Sequence, residues 1–171
     1  MKIKNIALVG NPNCGKTSLF NTLTGTRQKV ANYAGVTVER KEGSFKLPSG
    51  DAIRVLDLPG TYSLKPSSLD EEVTRAVCLG ELKGEILPDI FICVVDATNL
   101  SLHLSLVLEV RALNRPMILV LNMMDEVKKR GISIDKDKLS QLLGIPVVEA
   151  VAVKTKGIQD LINQLDQKNL F

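Results

Sequence analysis

The chain has 171 residues, 44% of them hydrophobic and 24% charged, and a net charge of +3. That is ordinary composition for one globular domain, and it excludes a disordered chain or a strongly basic nucleic-acid binder. The three cysteines, Cys14, Cys78 and Cys93, are odd in number, widely spaced and without metal-ligand spacing, so reduced thiols rather than a disulfide framework are expected. No apolar run approaches the ~20 residues of a membrane helix, and strand character begins at Ile3 with no leader sequence before it. The piece is expected to be soluble.

The elements follow in chain order. Residues 3–9 form an apolar run that predicts a buried strand, and residues 16–24 a helix with Leu19, Phe20 and Leu23 on one face. Residues 24–36 have weak periodicity and contain Gly25, Asn32 and Gly35, which reads as a mobile loop. Val36-Thr37-Val38 leads into a strand through Phe45 and Leu47. A turn at Pro48-Ser49-Gly50-Asp51 and a more apolar strand over 53–58 complete a hairpin. After Pro59-Gly60 and a loop over 61–69 come a helix at 70–82, a continuous apolar strand at 90–95 and a leucine-rich helix at 100–113. A buried strand at 117–121, short helices at 125–130 and 135–143, a strand at 146–153 and a helix at 158–170 finish the chain. Alternating strands and helices predict an α/β fold. The expected form is a doubly wound, mostly parallel sheet with one antiparallel edge strand, binding its ligand at the carboxyl ends of the strands. Residues 1–171 read as a single domain.

The motifs fall at those strand ends. Gly10-Asn11-Pro12-Asn13-Cys14-Gly15-Lys16-Thr17 matches G-x-x-x-x-G-K-[ST] between a strand and a helix, the phosphate-binding P-loop. Backbone N–H groups from Gly10, Asn13, Cys14, Gly15 and on to Ser18 would cradle phosphates at a helix N-terminus. Lys16 would reach the β- and γ-phosphates and the Thr17 hydroxyl would bind Mg²⁺. Asp57-Leu58-Pro59-Gly60 ends the third strand; Asp57 would hold Mg²⁺ through water and the Gly60 N–H would sense the γ-phosphate. Asn122-Met123-Met124-Asp125 matches N-x-x-D. The Asp125 carboxylate can accept both the N1–H and the amino group of guanine, adenine offers no such pair, and Asn122 would brace the loop. Ala152-Val153-Lys154 stands where a base-contacting loop is expected, with the Val153 N–H toward the guanine oxygen. Thr37 is the candidate for a second Mg²⁺ hydroxyl, reaching the metal once the γ-phosphate orders its loop. These residues read as a GTPase of the P-loop class, in which GTP is attacked in line by water and GDP is released. Thr61 follows Gly60, where many small GTPases carry a water-orienting glutamine, and no arginine is placed as a finger. Slow intrinsic turnover is therefore expected.

The chain resembles, over essentially its whole length, the cytosolic G domain of the ferrous iron transport protein B family. The resemblance is carried by Gly10-Asn11-Pro12-Asn13, the run from Asn32 to Glu39, Asp57-Leu58-Pro59-Gly60-Thr61-Tyr62-Ser63-Leu64, the run from Val95 to Leu100, and Leu121-Asn122-Met123-Met124-Asp125, where Ras-like proteins usually have lysine in place of Met123. It implies a fragment of a longer chain, with a helical domain and a polytopic Fe²⁺-carrying membrane domain beyond it, at the cytoplasmic face of the bacterial inner membrane. It also implies potassium activation, with K⁺ held by the Asn11 side chain and by carbonyls near Asn32 and Tyr33. Two departures stand out. The family often has serine or threonine near Ala152 and Val153, and a Glu-Arg pair after Asn99-Leu100. A homo-oligomer is left open, and no nucleic-acid partner is expected. Two readings compete: a stand-alone GTPase in ribosome or tRNA maturation, and a nucleotide sensor that does not hydrolyse. Among the remaining residues, His103 reads as a surface or packing residue, Glu39 and Glu42 as solvated strand positions, and Lys128-Lys129-Arg130 as a solvated helix end.

Overall fold

In the computed structural model, residues 3–167 are described. The strands are β1 (Asn5–Gly10), β2 (Gln28–Asn32), β3 (Glu39–Lys46), β4 (Ala52–Asp57), β5 (Ile90–Asp96), β6 (Met117–Asn122) and β7 (Val147–Glu149). The helices are α1 (Lys16–Thr24), α2 (Leu69–Leu79), α3 (Leu100–Arg111), α4 (Met124–Lys129), α5 (Lys136–Leu143) and α6 (Gln159–Leu165). The strands make one sheet in the order β2-β3-β4-β1-β5-β6-β7. β1 lies between β4 and β5 and is parallel to both, and among the described strands β3 alone is antiparallel to the common direction, pairing with β2 on one side and β4 on the other.

The central strands are apolar on both faces because both faces are covered. Along β5 the side chains divide by the period of two. Ile90, Ile92 and Val94 join Leu19, Phe20 and Leu23 of α1 and Leu161 and Leu165 of α6 in one core. Phe91, Cys93 and Val95 join Val73 and Val77 of α2 and Leu106, Val107 and Val110 of α3 in the other. The two cores clamp the sheet and leave its carboxyl edge free for loops.

Three sequence expectations are corrected. The segment 24–36 is not all loop, because β2 lies within it and pairs with β3 from Gln28↔Gly43 to Asn32↔Glu39. Its residues are almost all exposed, so no apolar alternation marked it. The last strand is shorter than 146–153, since the chain leaves the sheet after Glu149 to build the loop described below. Glu42 is not a solvated position: Arg54 and Arg40 donate to its carboxylate at 2.9 and 2.5 Å, and Arg40 also donates to Glu85 at 2.9 Å. The Arg54 contact, aided by Arg40, holds the Glu42 carboxyl below its usual range against the opposing effect of burial. The final helix is seen through Leu165, and the expected turn at 168–170 lies outside the described residues.

Candidate functional site

β1 ends at Gly10 and α1 begins at Lys16, so the phosphate loop spans the gap between a buried strand and a helix N-terminus. Gly15 caps α1 at φ 90°, in the left-handed region. A Cβ there would also lie 2.0 Å from the Asn122 side-chain nitrogen. Glycine is thus required twice, once for backbone shape and once for the approach of Asn122. Asn13 takes a left-handed φ of 63° without being glycine, a strained geometry of the kind that accumulates at functional loops.

A cleft of about 480 Å³ follows this loop from Asn11 and Asn13 past Lys16, Thr17 and Ser18 to Gly60 and Met123. A second recess of about 220 Å³ adjoins it and includes Lys16, Thr17, Val38, Asp57 and Gly60. Lys16 Nζ donates to Asp57 Oδ1 at 2.5 Å, and both side chains are buried. The pair joins the helix after β1 to the end of β4. Asn11 is only 2% exposed, and its Oδ1 has no hydrogen-bond partner among the described residues. A buried acceptor without a donor is costly, which makes this atom the open valence of the phosphate end.

The other end is built from β6. Asn122 is buried; its Nδ2 donates to the Cys14 carbonyl at 3.0 Å and its Oδ1 accepts the Ala152 N–H at 2.9 Å. The side chain therefore ties the phosphate loop to the loop after β7. Met123 takes a left-handed φ of 62° and turns the chain into α4. Asp125 sits in the first turn of α4, half-buried, with Oδ1 accepting the Glu126 N–H at 3.0 Å and Oδ2 lying 3.8 Å from Lys154 Nζ. Ala152 is buried and Val153 is 71% exposed. Cys14 is buried too, and burial pushes its thiol pKa up, so it serves through its backbone.

The two segments that flank the recess differ from expectation in detail. Thr37 is exposed, in a bend between the buried residues Tyr33 and Val38. Val38 lines the recess; Thr37 is not brought to it. The Tyr33 N–H donates to the Val38 carbonyl at 3.0 Å and closes the bend. After Gly60 the chain turns inward. Thr61 is fully buried, its N–H donates to the Gly10 carbonyl at 3.0 Å, and its hydroxyl donates to the Ser63 carbonyl at 2.6 Å. Ser63 Oγ and the Leu64 N–H then donate to Glu109 of α3, at 2.9 and 2.7 Å.

Sequence reasoning missed Glu109 and Thr22. A lone acidic residue on a leucine-rich helix was the signal for the first, and nothing marked the second. His103 proves to be buried on α3, with Nδ1 unpartnered among the described residues. The triplet Lys128-Lys129-Arg130 is exposed, as expected.

A mostly parallel sheet, a phosphate loop between β1 and α1, and Asn122 and Asp125 at the end of β6 define a G domain of the P-loop GTPase class. The family model for ferrous iron transport protein B matches residues 4–165. The Fe(2+) transporter FeoB of Salmonella typhimurium is 47% identical over 173 residues, covering 99% of this chain and 22% of that protein. The cytosolic domain of the T. maritima FeoB iron transporter in its GMPPNP form superposes with a TM-score of 0.87 at 44% identity, covering 97% of this chain and 65% of that one. The G domain of the same T. maritima transporter gives a TM-score of 0.83 at 46% identity, covering 96% of this chain and 99% of that one. The chain belongs to the ferrous iron transport protein B family. It spans about a fifth of the length of the curated relative, 22%. Among the described residues, no helix is long and apolar enough to cross a membrane.

Proposed function

We propose that this chain binds and hydrolyses GTP as the cytosolic domain of a longer ferrous iron transporter, and that nucleotide state regulates or drives Fe²⁺ passage. Residues 1–171 are one domain in this reading. Its first partner is the membrane transport domain of the same full-length chain, at the cytoplasmic face of the bacterial inner membrane. The observation that carries it is the bridge formed by Asn122, which bonds the Cys14 carbonyl of the phosphate loop and the Ala152 N–H of the base loop. One side chain thereby fixes the separation between a phosphate cradle and the carboxylate of Asp125, the two halves a guanine nucleotide needs. The bound GMPPNP of the T. maritima relative supports the same ligand class.

In that mechanism Asp125 accepts the two donor groups of guanine and rejects adenine by leaving its own charge unpaired. Backbone N–H groups of residues 10–18 hold the phosphates, and Lys16 exchanges Asp57 for the β- and γ-phosphate oxygens. The Thr17 hydroxyl and the Asp57 carboxylate are hard oxygen donors that fit Mg²⁺, which supplies charge neutralisation at the transferring phosphoryl group. Thr37 adds its hydroxyl when its bend turns inward. The Asn11 Oδ1, unpartnered among the described residues, fits K⁺, which would add positive charge where no described arginine lines the cleft or the recess. Water attacks in line, the Gly60 N–H stabilises the γ-phosphate, and catalysis is positioning and electrostatics. Thr61 is buried with its hydroxyl on the Ser63 carbonyl, so it does not orient the water. Turnover below about 1 s⁻¹ follows, since unaided Ras-like hydrolysis is orders slower still.

The test is GTP turnover in KCl against NaCl, with Asn11→Ala alongside. Potassium should stimulate the unaltered chain, and Asn11→Ala should lose the stimulation while still binding GDP. Equal rates in the two salts would remove the potassium role; no GTP turnover in either would remove the GTPase reading.

A further inference from the structure

We propose that Thr22 is a positioning residue: its hydroxyl aims the base loop and thereby sets how fast guanine nucleotide leaves. The proposal rests on the guanine-nucleotide reading above.

A threonine inside a helix ordinarily returns its hydroxyl to a carbonyl one turn back in its own helix. Thr24 does so, donating to the Phe20 carbonyl at 2.7 Å. Thr22, on the same helix, does not. Its Oγ1 leaves α1 and donates to the Ala152 carbonyl at 2.5 Å, across 130 residues of sequence. The Ala152 N–H is already held by Asn122. Both polar groups of this buried residue are thus fixed from outside its own loop.

The peptide unit turns that anchor into an aim. There is no cis peptide bond among the described residues. In a planar trans peptide the N–H points opposite to the C=O. Drawing the Ala152 carbonyl toward α1 therefore sends the Val153 N–H away from α1. Thr22 chooses the direction of that donor without touching the ligand.

The rest of the loop follows as a unit. Lys154 N–H donates to the Val151 carbonyl at 2.9 Å, Gly157 N–H to the Lys154 carbonyl at 2.8 Å, and Val151 N–H to the Gly157 carbonyl at 2.9 Å. Gly157 permits this closure, because a Cβ there would stand 2.4 Å from the Val151 oxygen. A self-closed loop keeps its shape but takes its orientation from its tethers. The exposed Lys154–Asp125 pair, at 3.8 Å, is a weak one. Asn122 holds the loop to the phosphate loop, and Thr22 holds it to the helix that the phosphate loop begins. Two tethers prevent a rotation that one would allow.

The experiment uses Thr22→Val, which keeps the shape and removes the hydroxyl, and Thr22→Ser, which keeps the hydroxyl and removes the methyl. Release of a fluorescent GDP analogue is followed on displacement by excess GDP, and amide exchange of residues 151–157 is measured in the nucleotide-free protein. Thr22→Val should release the analogue about fivefold faster, the fold-change of one ordinary hydrogen bond, with faster exchange in the loop and a smaller effect on single-turnover hydrolysis. Thr22→Ser should restore both to within about twofold, the direct sign that the hydroxyl matters. Release and exchange unchanged in Thr22→Val would overturn the proposal. So would a serine variant that behaves like the valine variant, since packing of the methyl would then be responsible. If the unaltered chain fails to bind the analogue, the guanine-nucleotide reading falls and takes this proposal with it.

Discussion

Two asparagines of nearly equal burial stand in the two halves of the site, Asn11 in the phosphate loop at 2% exposure and Asn122 at the end of β6 at 3%. Asn122 has protein partners for both ends of its amide. Asn11 leaves its carbonyl oxygen with none among the described residues. The neighbouring groups follow the same division. At the base end, Ala152 is held from both sides by Asn122 and Thr22. At the phosphate end, Lys16 and Asp57 satisfy each other and Thr37 stands outside the recess. In the proposed reading, the half that would recognise a base is assembled by the fold itself. The half that would respond to a phosphate keeps polar groups whose better partners would come from a bound nucleotide and its cations.

Asn122→Ala tests this contrast most severely. It leaves the Cys14 carbonyl and the Ala152 N–H unpaired in a buried place, so GDP affinity should fall about 100-fold and stability by about 2 kcal/mol. Titration calorimetry and thermal melts read the two. Asn11→Ala should cost far less affinity, and comparable losses in the two variants would dissolve the contrast.

Glu109→Ala probes the loop after Gly60 from the side opposite the cleft. Ser63 and Leu64 lose their shared acceptor. Amide exchange across residues 61–65 should rise about tenfold, in proportion to one or two lost hydrogen bonds. An unchanged exchange rate would mean that the buried Thr61 alone holds that loop.

The smallest effect expected is that of His103. Burial holds its imidazole pKa below 6.5, against an opposing pull from Asp96. The unfolded chain therefore binds the proton more tightly. Stability is complete above about pH 6.5 and falls as the pH drops from there toward the lowered folded value, with a slope of at most about 1.4 kcal/mol per pH unit. Melts of the unaltered chain and His103→Asn at pH 7.5 and 5.5 should show a shallower pH dependence in the variant, with GDP affinity unmoved at pH 7.5. An identical pH dependence would assign the acid sensitivity to another group.

Much of this was legible before any coordinates. β1, β5 and β6 are apolar runs because both their faces are buried, and a continuous run is the plainest signal a chain offers. The P-loop, Asp57 and Asn122 fell at strand ends, and that placement gave the short motifs their meaning. β2 was illegible because an exposed edge strand has no apolar side to display, and its pairing is visible only in the backbone. Thr22 and Glu42 were illegible for a different reason, and Glu109 carried only the faint signal of a lone acidic residue on a leucine-rich helix. Each looks like an ordinary surface residue, and each acquires its role from a partner that only the folded chain brings near. Thr22 meets Ala152 from 130 positions away and Glu109 meets Ser63 from 46.

The bend that carries Thr37 has a mechanical consequence. Its ends are joined by the Tyr33–Val38 backbone bond, and both of those residues are buried among core side chains. Only four residues, 34–37, lie between these anchors. At roughly 3.5 Å per residue, such a flap carries its tip no more than about 7 Å from its frame. Val36, partly buried against the same core, would have to leave its packing for the flap to swing, but no rung between β2 and β3 would open. A change of nucleotide would then cost the sheet nothing, and the flap would keep time with fast loop motions, nanoseconds to microseconds, rather than with slower rearrangements of packed strands.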